Sequence, residues 1–271
     1  LMRQGVPLAG NHLMTELALV TGAVEMVVAD YQCVMPSLVQ IASCYHTRFV
    51  STSEKARFPG GAHLEFTLEN ARDKAREAVE LAIEAFTRRD AGRVNIPTTP
   101  VSLRTGYSNE AVIKALGGSA EPLLAAIKIG LVRGVVGIVG CNNPKLPHDG
   151  VLTGLAKELI RQDILVLVTG CATVAMGKAG LMTTEGLEQA GVGLAEFCSR
   201  FDLPPALHVG SCVDNSRILA LCGLLADALG VDIADLPVAA SAPEWHSEKA
   251  AAIGLYAVAS GIMTHLGLPP N

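Results

Sequence analysis

Residues 163–171 read DILVLVTGC, an apolar run closed by Thr169, Gly170 and Cys171. Five consecutive aliphatic residues between an aspartate and a glycine fit a short strand buried on both faces of a parallel sheet. The same unit recurs along the chain. GVVGIVGC (134–141) ends on Cys141, ALHVGSC (206–212) on Cys212 and AVEMVVADYQC (23–33) on Cys33. In an open α/β sheet the carboxyl ends of parallel strands line one edge, and ligands bind in that crevice. Four thiols delivered there from four strands would converge, although they are far apart in sequence. Convergent thiolates hold soft metals and iron–sulfur clusters. A single cysteine in such a place is most simply a small buried hydrophobe. Four at equivalent strand ends read as a site.

Around these units the chain alternates. Downstream, helices are expected near Asn109–Leu116 and Glu121–Leu131, then the strand Gly134–Val139 and the helix Gly150–Arg161. The strand Ile164–Val168, helices through Thr184–Phe201, the strand Ala206–Val209 and the helix Asn215–Leu229 follow. The strand Pro237–Ala240 and the helix Ser247–Met263 complete the pattern. Such alternation predicts a parallel sheet with helices on both faces. Upstream, a helix over His12–Thr21, the strand Ala23–Ala29, a short helix Pro36–Ala42 and the strand Thr47–Ser51 precede a long amphipathic helix, Leu68–Arg88. Gly92, Pro97 and Pro100 punctuate the polar stretch between them. The expected division is therefore residues 1–89, a linker over 90–105 and a second domain over 106–271.

Composition narrows the function classes. Half of the 271 residues are hydrophobic but only 4% are aromatic, which suits a tightly packed aliphatic core. The net charge is −5 and no basic run is present, so nothing suggests a nucleic-acid footprint or a polybasic membrane patch. No apolar stretch reaches the roughly 18 residues of a membrane span. Seven cysteines, an odd number, fit metal or catalytic use better than a disulfide framework. The opening LMRQG and the closing LGLPPN read as cuts in a longer protein.

The turns VGCNN, TGCAT and GSCVDN place a small residue before each cysteine, which permits a tight turn and close approach to a bulky ligand. Each thiol is expected near the start of the next helix, where backbone N–H groups and the helix dipole favour the thiolate. Cys44, Cys198 and Cys222 sit in or at the end of expected helices and read as core packing. No CxxC pair is present, which argues against a zinc ribbon or a ferredoxin loop. Lys249, just beyond the strand LPVAA, has two open readings. It is a surface lysine paired with Glu244 or Glu248, or a cation beside an anionic intermediate. His208 reads as a satisfied core histidine or as a hydrogen-bond partner behind the ligands, Asp214 and Asn215 as helix caps, and Asn142 and Asn143 as supports of the turn after Cys141.

Five motifs, DYQCVMPS, GIVGCNNPK, VTGCATVAMGKAGLM, HVGSCVDNSRIL and SAPEWHSEKAAAIG, together resemble the nickel-containing carbon monoxide dehydrogenases of anaerobic microbes. The resemblance covers nearly the whole chain, in order. It implies an α/β fold of two Rossmann-like domains with parallel sheets, the first incomplete here, with a metal-cluster site at the strand carboxyl ends. It implies a cytoplasmic oxidoreductase that converts CO and water reversibly to CO2, two protons and two electrons at a nickel–iron–sulfur cluster. By that resemblance Cys33, Cys141 and Cys171 match iron ligands, Cys212 matches the nickel ligand, and Lys249 matches the lysine that stabilises the carboxylate formed there. The ligands of the outlying iron, and the cysteines of further [4Fe-4S] clusters, are implied to lie upstream of Leu1. A homodimer, a ferredoxin-like electron acceptor and, in some members, an acetyl-CoA synthase subunit are the implied partners. The 271-residue piece alone is expected not to turn over. Two alternatives remain: a hybrid-cluster protein reducing hydroxylamine, and a non-catalytic metal-binding homologue. No GxGxxG follows a strand, which argues against a nucleotide-binding Rossmann protein.

Overall fold

A computed structural model describes residues 10–30, 32–99 and 102–269. They fall into two compact units, one of residues 12–99 and one of residues 102–269 together with Gly10 and Asn11. Among the described residues eight strands form two sheets, of three and five strands, and every pairing is parallel.

In the smaller unit the chain runs through α1 (Thr15–Val20), β1 (Met26–Ala29), α2 (Ser37–Ser43), β2 (Arg48–Ser51), β3 (Ala62–His63) and α3 (Ala71–Phe86). The strands lie in sequence order, with Met26 opposite Arg48 and Val50 opposite Ala62. Leu19, Ala29, Leu38, Ala42, Phe49 and Ala56 form its core. The two-residue β3 has no readable periodicity, and its place is decided by pairing with β2.

In the larger unit, α4 (Asn109–Ala115) and α5 (Glu121–Lys128) lead into β4 (Gly134–Ile138). Then come α6 (Gly150–Arg161), β5 (Ile164–Thr169), α7 (Cys171–Lys178), α8 (Val192–Arg200), β6 (Ala206–Gly210), α9 (Ser216–Leu229), β7 (Val238–Glu244), α10 (Lys249–Ala259) and β8 (Met263–Leu268). The strand order is β6-β5-β4-β7-β8. The chain winds outward from β4 to β6, returns to the other side of β4 as β7, and continues to β8. The reversal lies between β4 and β7, and in sheets of this kind the ligand crevice opens at that point. Leu165, Val166, Leu167 and Val168 of β5 are all nearly inaccessible, the burial that their unbroken apolar run requires. Each such side chain contributes roughly 1.5–3 kcal/mol on leaving water.

Two elements differ from the sequence expectation. The expected helix over 247–263 stops at Ala259, and Met263–Leu268 pairs with β7 as the edge strand β8. Gly261, at φ 86°, turns the chain after the helix. Sequence alone misplaces this strand because its apolar residues are exposed, Met263 at 74% and Leu268 at 65%. β7 also runs past Ala240 to Glu244. A Cβ at Gly267 would stand 1.9 Å from the Pro243 carbonyl oxygen, so β8 approaches β7 there through glycine.

Candidate functional site

The strand order decides which thiols are neighbours. Cys212 follows β6, Cys171 follows β5, Cys141 follows β4 and Lys249 follows β7, four adjacent strands in one row. Cys141, Cys212 and Lys249 line one small cavity with Asn215, Ser241 and the aliphatic side chains of Val139, Ile253 and Leu266. A larger apolar cleft of about 440 Å³ adjoins it and shares Cys212 and Lys249.

The turns that carry these residues are built differently. Cys171 is the first residue of α7, as expected, with Gly170 at φ 63° before it. A Cβ at Gly170 would stand 2.5 Å from Cys212 Sγ and 3.3 Å from the Gly140 carbonyl oxygen. Glycine there lets the Cys212 sulfur seat against the β5 turn. Cys212 opens a 3-10 turn, Cys212–Asp214, rather than an α-helix. Asp214 holds that turn: its Oδ2 accepts from the Ser211 backbone N at 2.8 Å, and its Oδ1 pairs with Arg217 at 3.1 Å. Asn215 does not cap α9 with its side chain; its Oδ1 accepts from the Thr169 hydroxyl at the end of β5. Cys141 departs most from expectation. It lies in a loop nine residues before α6, is 2% exposed, and has no helix start beside it.

That loop is held by a buried polar network. Asn142 donates to Asp149 Oδ1 at 2.7 Å and accepts from Asn11 at 2.8 Å. Asn143 donates to the Leu268 carbonyl oxygen at 3.0 Å. Asp149 also pairs with Lys178. Glu244, the last residue of β7, is fully buried. It is therefore not a surface partner for Lys249. Its carboxylate accepts from Asn142 Nδ2 and from the backbone N–H groups of Asn143, Val151 and Leu152. Asn142 and Asn143 thus do more than shape a local turn, because they tie the Cys141 loop to β7, β8 and α6. Sequence reasoning missed the role of Glu244, whose one signal was a carboxylate ending an apolar strand.

His208 is 4% exposed and its Nε2 donates to the Gly210 carbonyl oxygen at 3.0 Å, leaving Nδ1 without a hydrogen-bond partner. It is thus a core histidine satisfied on one side. Burial pushes its pKa down, so the ring is neutral at pH 7. Cys198 and Cys222 are buried, and burial pushes their thiols up to about 12 and about 11. Cys44 is exposed, with Sγ donating to the Gln40 carbonyl oxygen, which corrects the expectation of core packing. Its helix ends at Ser43, so the side chain falls beyond the packed face. Cys33 stands in the smaller unit, beyond the carboxyl end of β1, exposed and on left-handed backbone at φ 56°.

Among the described residues no three His, Cys, Asp or Glu side chains gather closely enough to hold a single ion. A polynuclear cluster makes a different demand, with thiolates distributed around its irons. Thiols on three adjacent strand ends, with a glycine cradle beneath Cys212, fit that demand.

Strand order and edge chemistry place the larger unit in the class of doubly wound α/β proteins, with cysteines following three neighbouring strands. The chain belongs to the Prismane/CO dehydrogenase family, whose match extends over residues 1–271. It is 52% identical over 270 residues to carbon monoxide dehydrogenase 1 of Methanosarcina mazei, covering all of this chain and 43% of that protein. The fold superposes with a TM-score of 0.93 and 53% identity on as-isolated, Ni-free carbon monoxide dehydrogenase from Thermococcus sp. AM4, covering 99% of this chain and 43% of that one. A structure of acetyl-CoA synthase/carbon monoxide dehydrogenase, described as having NiZn[Fe4S4] and NiNi[Fe4S4] clusters in closed and open alpha subunits, gives a TM-score of 0.92 at 41% identity, covering 99% of this chain and 42% of that one. The chain therefore spans less than half the length of these relatives.

Proposed function

We propose that the protein containing this chain is a carbon monoxide dehydrogenase of the nickel–iron–sulfur type. The reaction is CO + H2O giving CO2, two protons and two electrons, run reversibly. The observation that carries this reading is the row of Cys212, Cys171, Cys141 and Lys249 on neighbouring strand ends, with Cys141, Cys212 and Lys249 in one cavity. The relatives named above support it.

In this reading Cys33, Cys141 and Cys171 hold irons and Cys212 holds nickel. The bound cluster supplies the redox chemistry. Lys249 supplies a positive charge and a proton donor where negative charge develops on the substrate oxygen. Preorganised charge of this kind acts most strongly where water is excluded, and the aliphatic walls from Val139, Ile253 and Ala257 provide that setting. Asn215, tied to Thr169, holds the Cys212 turn beside β5. Further [4Fe-4S] clusters outside this chain would supply the electron path to a ferredoxin-like acceptor. A homodimer, a cytoplasmic location and, in one arrangement, an acetyl-CoA synthase partner belong to the same reading. Among the described residues no helix is long and apolar enough to cross a membrane.

The test is metal content and CO oxidation of the full-length protein, expressed without oxygen, beside its Cys212→Ala variant. Nickel and activity in the parent, both lost in the variant, are expected. Iron without nickel, and no CO oxidation, would sink the reading in favour of hydroxylamine-type chemistry or a non-catalytic role.

A further inference from the structure

We propose that Glu244 is a positioning residue for Cys141, its buried carboxylate locking the turn that carries this thiol against the end of β7, the strand leading to Lys249. The inference rests on the reading above only in treating Cys141 as a ligand.

A carboxylate without access to water is tolerated where donors replace its hydration. Glu244 has four. Oε1 accepts from Val151 N at 3.1 Å and Leu152 N at 3.3 Å; Oε2 accepts from Asn143 N at 3.3 Å and Asn142 Nδ2 at 3.4 Å. The first two donors are the second and third residues of α6, whose helix dipole also favours negative charge. A cap supplied from another strand is needed because the helix's own N-cap residue, Asp149, sits in left-handed conformation at φ 63° and makes no cap bond. Its carboxylate is engaged by Asn142 and Lys178 instead.

The grip brackets Cys141. Asn142 and Asn143 follow it directly. Gly140 precedes it and packs so near β7 that an added Cβ would stand 3.1 Å from the Glu244 carbonyl oxygen. The Glu244 side chain therefore holds the two residues that follow the thiol, while glycine at 140 lets the residue before it lie close against the same strand end. Glutamine has nearly the same shape but presents N–H groups to two of the four donors, so it breaks half of the grip and removes the charge.

The experiment is thiol labelling of the full-length protein, purified without oxygen, with and without Glu244→Gln. Iodoacetamide modification of each cysteine is followed in time by mass spectrometry. Cys141 is expected to react about tenfold faster or more in the variant, while Cys198 and Cys222 keep their slow rates, as local opening requires. The electron paramagnetic resonance signature of the metal site is expected to change in parallel. A Cys141 rate within about twofold of the unsubstituted protein would overturn the proposal, and so would joint acceleration of all three buried thiols, which reports global destabilisation. Should Glu244→Gln fail to fold, Glu244→Asp, which keeps the charge but is one methylene shorter, must show the same selective acceleration. Absence of nickel and of CO oxidation in the unsubstituted protein would overturn the proposed activity, while the labelling comparison still decides the role of Glu244.

Discussion

The carboxyl edge of the five-stranded sheet and the helical layer over its face both bury cysteines, and they use them in opposite ways. Cys141 at the edge is 2% exposed and Cys198 in α8 is inaccessible. Cys198 lies in the apolar core cluster with Leu194 and Phe197, with Tyr107 packed against that cluster, and its Sγ reaches the Pro204 carbonyl oxygen at 3.8 Å. Burial raises that thiol's pKa, so it stays protonated and packs as a small hydrophobe. Around Cys141 the chain supplies Asn142, Asn143, Asp149 and Glu244. Burial alone does not separate a structural thiol from a ligand candidate. The difference is the backbone. A helix consumes its own N–H groups, whereas a strand end releases the chain into a turn where polar groups gather.

The sharpest way to break this contrast is to exchange its members. Cys141→Ser in the full-length protein is expected to lose bound iron and nickel and to cut CO oxidation by more than the about 10- to 100-fold typical of removing an outer partner of a metal site. Cys198→Ala should leave metal content unchanged by elemental analysis. Equal metal loss in both variants would erase the distinction.

Next in size is the helical layer itself. Phe197 is 2% exposed, with its ring 5.1 Å from that of Phe201. Phe197→Ala is expected to destabilise the protein by about 3–5 kcal/mol, read by urea unfolding, while metal loading at low temperature stays intact.

A smaller effect comes from pH. An unfolded thiol ionises near 8.5, while folded Cys198 and Cys222 titrate at about 12 and about 11. Above about pH 9 the unfolded chain therefore releases protons that the folded chain retains, and stability falls as pH rises. The slope is up to about 1.4 kcal/mol per pH unit per thiol, ending as the folded thiols ionise; below the unfolded value their contribution is constant. Urea midpoints at pH 8 and pH 10 check this, and the Cys198→Ala, Cys222→Ala double variant should show a shallower decline. Smallest of all, Glu158→Ala on the outer face of α6 removes the exposed pair with Arg161 and is expected to leave both thermal midpoint and metal content unchanged.

Much of the architecture was legible because period and punctuation agree. ILVLV before a glycine reads as a doubly buried strand, and helices between such runs leave parallel pairing as the short solution. The strand-end position of Cys141, Cys171 and Cys212 was equally legible. The helix starts expected beside them were not uniform: Cys171 has one, Cys212 opens a 3-10 turn, and Cys141 has none. Turn geometry after a glycine depends on what packs above it, and local pattern does not carry that information. Cys44 failed for a related reason, since one residue past a helix end is enough to turn a side chain from core to solvent.

By itself the sequence determined the element types, the parallel pairing and the delivery of cysteines to strand ends, because these follow from hydrophobic period and from glycine's conformational freedom. The tertiary structure decided the order β6-β5-β4-β7-β8 and hence which strand ends are neighbours. It also decided that Glu244 would hold the turn after a strand some 100 residues earlier. Strand order is set by which faces bury together, and a buried carboxylate goes where four donors converge. Both are properties of the packed chain, and neither leaves a periodic trace in the sequence.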